Sequence, residues 1–248
     1  MTEADRNQLA PIRAKVAAVI PAYHEEKHIG EVVLRTRAHL DHVLVVDDGS
    51  MDKTAEHARA AGAEVIVHPQ NRGKGESIKI GLRRWLDRQF DFVIVLDADG
   101  QHPPEEIDRF LRLAASDSAA LLIGNRMNDV ARMPRLRRMV NRYMSKKISR
   151  VCGQEIPDTQ CGFRMLHRQL IQEVLGGTAR FDYETEMLFI ASRKNFRIAS
   201  VPISTVYSDE VSSIHPVRDT IRFLKLMWRY RSLNARSWPA RLNRRQLW

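Results

Sequence analysis

The sequence predicts an α/β protein built on a mostly parallel sheet with helices covering both faces. Three observations carry that expectation. Short apolar runs recur through the first half, stretches of helical period separate them, and acidic clusters follow the first, second and fourth runs. In such a sheet, ligands sit at the carboxyl ends of the strands.

The elements follow in order. Val16–Ile20, Val43–Val46, Glu64–His68, Phe92–Leu96 and Ala120–Ile123 are strand-sized runs. Ile29, Val32, Val33, Thr36 and Leu40 form one helical face, and Ile78, Leu82, Trp85 and Leu86 form another. A third face, Ile107, Phe110, Leu111 and Ala114, follows Pro103-Pro104 and begins with Glu105 and Glu106, where the helix dipole favours acids. The second half is less regular: a basic helix near 134–150, an irregular stretch over 152–165, helices near 168–175 and 183–194, a strand-like Arg197–Tyr207 and a terminal helix.

Composition excludes several classes. The chain has 248 residues, 28% of them charged and 44% hydrophobic, which is ordinary for a globular domain and unlike a disordered one. No apolar run approaches the roughly 20 residues that span a bilayer. Residues 1–15 read as a polar extension with Glu3 and Asp5 where a secretory leader would be basic. Cys152 and Cys161 offer neither a disulfide framework nor a CxxC site, so a reducing, cytoplasmic setting is expected.

The net charge of +10 is concentrated in two bands. Residues 126–150 and 214–248 each hold nine Lys/Arg against one Asp, which leaves the body of the chain acidic. Such bands fit any polyanion: phosphate ligands, an anionic membrane surface or nucleic acid.

The acidic clusters point to chemistry. Pro21-Ala22-Tyr23-His24-Glu25-Glu26, Asp47-Asp48-Gly49-Ser50 and Asp97-Ala98-Asp99-Gly100-Gln101 all follow strands and converge on one rim. Crowded carboxylates repel unless a cation neutralises them, and an all-oxygen set suits Mg²⁺ or Mn²⁺. The loop Asn71-Arg72-Gly73-Lys74-Gly75-Glu76 matches neither a P-loop nor a dinucleotide fingerprint. It reads as a basic loop opening a helix, where backbone NH groups and Lys74 can meet an anion.

These motifs, in this order, resemble family 2 glycosyltransferases: VIPAYHEE at 19–26, VVDDGSMDKT at 45–54, NRGKG at 71–75 and DADGQHPP at 97–104. Within that family, Gly124-Asn125-Arg126, DTQCGFR at 158–164 and DYETE at 182–186 resemble dolichyl- or polyprenyl-phosphate sugar synthases, the DTQCGF string being nearer the glucose than the mannose enzymes. The resemblance implies a GT-A fold over 16–213, with a donor half at 16–125 and an acceptor half at 126–213, and inverting hexose transfer from a UDP- or GDP-sugar. It places Pro21, Ala22, Tyr23 and Glu25 around the nucleoside, Asp47 or Asp48 at the base, and Asp97, Asp99 and Gln101 on the metal, with Ala98 and Lys74 in the donor site. It assigns Arg126, Arg137 and Asn141 to the acceptor phosphate. Asp158 becomes either a base toward a hydroxyl acceptor or a residue that orients the acceptor site.

Where mannose synthases carry a basic diphosphate contact, this chain has Ser208-Asp209-Glu210, with Ser212, Ser213, His215 or Arg218 available to compensate. In the tail, 214–248, Val217, Ile221, Leu224 and Trp228 form a stripe beside Arg218, Arg222, Lys225 and Arg229. That pattern fits an interfacial helix on the cytoplasmic membrane face or a helix packed on the domain. A binding module for nucleic acid or membrane would use the two basic bands but leaves the three acidic strand ends without purpose. The expected partners are therefore a nucleotide sugar, a polyprenyl phosphate and a membrane surface, and not nucleic acid.

Overall fold

The computed structural model describes residues 3–127, 133, 135–176 and 183–204. The expected terminal helix, the loop at Ser208–Ser213, His215, Arg218 and Asp182 lie outside the described residues.

Among the described residues, seven strands form one sheet: β1 Val16–Ala22, β2 Val43–Asp47, β3 Glu64–Val67, β4 Phe92–Val95, β5 Leu121–Asn125, β6 Arg164–His167 and β7 Ile198–Pro202. Their order is β3-β2-β1-β4-β6-β5-β7. All pairings are parallel except those of β6, which runs antiparallel to both β4 and β5. β1, β2 and β5 are buried along their whole length, which is why each reads as an unbroken apolar run.

The helices are α1 Glu3–Arg13, α2 Ile29–Arg37, α3 Thr54–Ala60, α4 Lys74–Asp87, α5 Ile107–Ser116, α6 Arg135–Cys152, α7 Arg168–Val174 and α8 Tyr183–Arg193. The crossover helices bury the apolar faces expected of them. Ile29, Val32 and Val33 of α2, Ile78, Leu82 and Trp85 of α4, and Ile107, Phe110 and Leu111 of α5 are all nearly inaccessible. α4 lies so close to the sheet that a Cβ at Gly81 would sit 2.4 Å from Val19, and the Trp85 indole donates to the Ala18 carbonyl at 2.9 Å.

Two elements depart from expectation. Within the polar extension over residues 1–15, α1 forms, buries Leu9 and packs against α5. β6 arises where an irregular stretch was expected to run into a helix. It has four residues, and its first is the buried Arg164, so it shows neither alternation nor an apolar run.

Candidate active site

The glycine loop is built from Asp48. Its Oδ1 accepts from the Arg72 amide at 2.8 Å and faces His68 Nδ1 at 2.8 Å, and its Oδ2 accepts from the Gly73 amide at 2.7 Å. The carboxylate therefore fixes the loop that opens α4 and presents Lys74. Asp47, almost fully buried, turns the chain by accepting from the Ser50 amide at 2.9 Å. That turn needs Gly49 at φ 81°, where any Cβ would press on the Gln70 backbone at 2.8 Å. Of the two acids expected at a base, Asp48 is thus committed to loop structure.

The end of β1 is cross-tied to the loop after β2. The His24 amide donates to Ser50 Oγ at 2.9 Å and the Glu25 amide to Thr54 Oγ1 at 2.8 Å, while Asp52 accepts from the Thr54 amide at 3.0 Å at the start of α3. Pro21 and Ala22 are buried as the last residues of β1, and Ala22 accepts from the Asp48 amide at 2.8 Å. Tyr23 leaves its ring about half exposed on this rim. A flat aromatic beside a rigid turn can stack on a nucleobase.

After β4 the chain brings Asp97, Ala98 and Asp99 to the same rim. Lys74 Nζ lies 2.6 Å from Asp97 Oδ1 and 3.2 Å from Glu184 Oε1 of α8. Burial opposes ionisation of Asp97, but the Lys74 charge, aided by His102 and Arg126, overrides it and brings the pKa down to about 2. Burial also works against the Lys74 ammonium, and the two carboxylates reverse that and raise its pKa. Burial and the Asp97 charge raise the Asp99 pKa against the weaker pull of the Gln101 amide, which donates to it at 2.9 Å, and of His102 and Lys74. Excess negative charge at Asp99 is what a cation would relieve.

That donor set suits a hard divalent ion. Among the described residues no three His, Cys, Asp or Glu side chains form a cage. Mg²⁺ needs none, because it commonly takes one or two carboxylates and fills the rest with phosphate oxygens and water. Asp99 and Asp97 would hold it, with Gln101 bracing Asp99 through its backbone.

Beyond this cluster, the loop 158–163 reaches Asp97. Gly162 packs so tightly against Asp97 that a Cβ there would fall 2.6 Å from Oδ2. Arg126 Nε donates to Asp158 Oδ2 at 2.7 Å and Nη2 to Oδ1 at 3.0 Å, a bidentate pair with side-chain exposures of 7% and 0%. Arg126 was expected on a phosphate and Asp158 as base or orienter. Asp158 is sealed from solvent, and its oxygens are taken by Arg126 and the Gln160 amide. At least two of the Arg126 donors are spent on that pairing.

On α6, Asn141 is buried and Arg137, one turn earlier, is half-buried. Continuing the same four-residue spacing, Ser145 accepts from the Thr159 amide at 3.0 Å and Ser149 accepts from the Ile156 amide at 3.0 Å. This polar stripe fastens α6 to the loop beside Asp97.

Four contributors escaped the reading of the residues. Arg164 gives three of its donors to the carbonyls of Cys161, Thr159 and Glu184, tying loop, β6 and α8 together. His102 lies between Asp97 Oδ2 at 3.8 Å and Cys161 Sγ at 3.7 Å, its pKa lowered chiefly by burial. Glu184 and Ser145 complete the set. The four-residue spacing from Asn141 was a usable signal for Ser145; the others sat within recognised strings without an assigned role.

Comparison with known proteins agrees with this geometry. The chain is 29% identical over 214 residues to a UDP-N-acetylglucosamine–dolichyl-phosphate N-acetylglucosaminyltransferase of Methanococcus voltae, covering 77% of this chain and 85% of that one. It is 30% identical over 205 residues to an undecaprenyl-phosphate mannosyltransferase of Micrococcus luteus, covering 77% and 84%. A solved glucosyl-3-phosphoglycerate synthase of Mycobacterium tuberculosis, crystallised with Mn²⁺, UDP and phosphoglyceric acid, shares the fold with a TM-score of 0.66 at 16% identity, over 94% of this chain and 84% of that one. Residues 17–175 match the family described as Glycosyl transferase family 2. A sheet whose parallel strands carry these acidic ends, matched over most of the domain, makes the chain a glycosyltransferase and a member of that family.

Proposed function

We propose that the protein transfers a hexose, glucose or mannose, from a UDP- or GDP-sugar to the phosphate of a polyprenyl or dolichyl phosphate. In this reading it acts with inversion, uses Mg²⁺ or Mn²⁺, and is held peripherally at a membrane face. The observation that carries the reading is the tie between two clusters: Asp97, Asp99 and Lys74 on one side, and the basic α6 bearing Arg137 and Asn141 on the other, joined through Gly162 and Thr159. The Methanococcus and Micrococcus relatives, named for lipid-phosphate acceptors, support it.

The chemistry asks little of a general base. An acceptor phosphate monoester is already ionised near neutral pH, since its second pKa is about 6. Its oxygen bonds to the anomeric carbon from the face opposite the leaving group. The carbon–oxygen bond to the diphosphate breaks with its electron pair leaving on that oxygen. Arg137 and Asn141 hold the acceptor in line, while Lys74 offsets charge on the departing diphosphate. A divalent ion held by Asp97 and Asp99, with Gln101 in support, would supply further Lewis-acid stabilisation there. Transfer to a sugar hydroxyl would need a base, and the sealed, Arg126-paired Asp158 counts against it.

No described helix is long and apolar enough to cross a membrane. Contact with lipid falls instead to surfaces. α6 has seven Lys/Arg and no acid, yet leaves Met139 and Tyr143 about 60% exposed one turn apart. Apolar anchors among cations fit an anionic interface.

The test is incubation with Mg²⁺ or Mn²⁺, a panel of UDP- and GDP-sugars and a short polyprenyl phosphate, following nucleoside diphosphate release. Release that requires the lipid and vanishes in Asp99→Ala supports the proposal. Donor binding without lipid-dependent release contradicts it.

A further inference from the structure

Lys74 occupies an odd position for a residue that serves a diphosphate. Its ammonium is 2.6 Å from the carboxylate best placed to share a divalent ion, and 3.2 Å from a second carboxylate, Glu184, on a helix 110 residues further along the chain. The two oxygens involved, Asp97 Oδ1 and Glu184 Oε1, are buried, and neither accepts an aligned hydrogen bond from any other described group. A cation seated on Asp97 Oδ1 competes with an arriving metal ion for that oxygen, because two cations repel strongly at such short range. Removing the ammonium to solvent once a metal holds Asp97 would strand the Glu184 carboxylate. Glu184 offers the alternative seat.

We propose that Lys74 is the resident cation of Asp97 and that Glu184 is a positioning residue that retains the ammonium when Asp97 turns to the metal. Metal and lysine then act together on the diphosphate instead of excluding one another. The inference rests on the metal reading of Asp97. The position of Glu184 is set independently of its carboxylate, since Arg164 grips the Glu184 backbone carbonyl. Neutralising the side chain therefore leaves the helix start tied.

The experiment uses the full chain and two probes, Mn²⁺ alone and UDP with saturating Mn²⁺. Free Mn²⁺ is followed by electron paramagnetic resonance and UDP by calorimetry. Lys74→Met should bind Mn²⁺ alone several-fold more tightly, because the competitor is gone, and should bind UDP several-fold more weakly. Glu184→Gln should bind Mn²⁺ several-fold more weakly, because the ammonium has lost its second seat and stays on Asp97. In the double variant the Glu184→Gln penalty should disappear, a coupling that independent sites would not show.

Weaker Mn²⁺ binding in Lys74→Met overturns the proposal. So does a Glu184→Gln penalty of the same size with and without Lys74. Thermal melts of each variant guard against loss of fold. Because the Mn²⁺ measurements need neither donor nor acceptor, a failure of the lipid-phosphate reading would not be confused with a failure of this one.

Discussion

Arg126 and Asp158 form a two-pronged ion pair that solvent scarcely reaches, at 2.7 and 3.0 Å. Breaking such a pair by truncating one partner leaves a buried charge without compensation, typically at about 3–5 kcal/mol. Asp158→Ala should therefore lower stability by that amount in urea unfolding. Arg126→Lys should also lose stability, because an ammonium cannot reproduce the fork.

Acid stability should report the Lys74–Asp97 contact. The folded pKa of Asp97 is near 2, below the ordinary value of 3.8, so its contribution is present above about pH 4 and drains away as the pH falls toward 2. The shift corresponds to about 2 kcal/mol. Asp99, with its pKa raised, has the opposite sign, so the comparison must isolate Asp97. In metal-free buffer and in an Asp99→Asn background, the stability gap between protein with Asp97 and protein with Asp97→Asn should narrow steadily between about pH 5 and pH 2.

Both cysteines should be silent while the protein is folded. Burial pushes the Cys152 thiol up to about 11 and the Cys161 thiol up to about 12, which suppresses the reactive thiolate at pH 8. Titration with a chromogenic disulfide reagent should find no fast-reacting thiol in native protein and two in urea.

Gly162 has no room for a methyl group beside Asp97. Gly162→Ala should displace that carboxylate, raising the metal concentration needed for half-maximal activity by about tenfold. A 1 Å misplacement at a site of this kind can cost up to roughly a hundredfold in rate. The check is a metal titration of initial rates beside a melting curve.

The exposed side of α6 should decide membrane attachment. Met139→Asp with Tyr143→Asp should reduce binding to anionic vesicles by about tenfold or more while leaving transfer to a short, water-soluble acceptor intact. Co-sedimentation at low and high salt measures the first, and rate assays measure the second. Unchanged sedimentation would move the lipid contact elsewhere on the chain.

Legibility in the sequence followed burial. β1, β2 and β5 are buried along their whole length and so appear as largely apolar runs. β6 is pinned by the side chain of Arg164, and a buried guanidinium that reaches three carbonyls leaves no hydrophobic signature. Site residues divide in the same manner. Asp97, Asp99 and Lys74 stand at strand ends and a helix start, where topology alone gathers them. The commitment of Asp48 to the Arg72 and Gly73 amides, or of Arg126 to Asp158, depends on contacts between segments more than twenty residues apart, and no local pattern encodes these.

Transfer of the sugar to a lipid phosphate is read most directly from the product itself. With radiolabelled donor, label should partition into the organic phase only when polyprenyl phosphate is present, and mild acid should then release it as free sugar. Label that stays in the aqueous phase on a hydroxyl acceptor, or that resists mild acid, would contradict it.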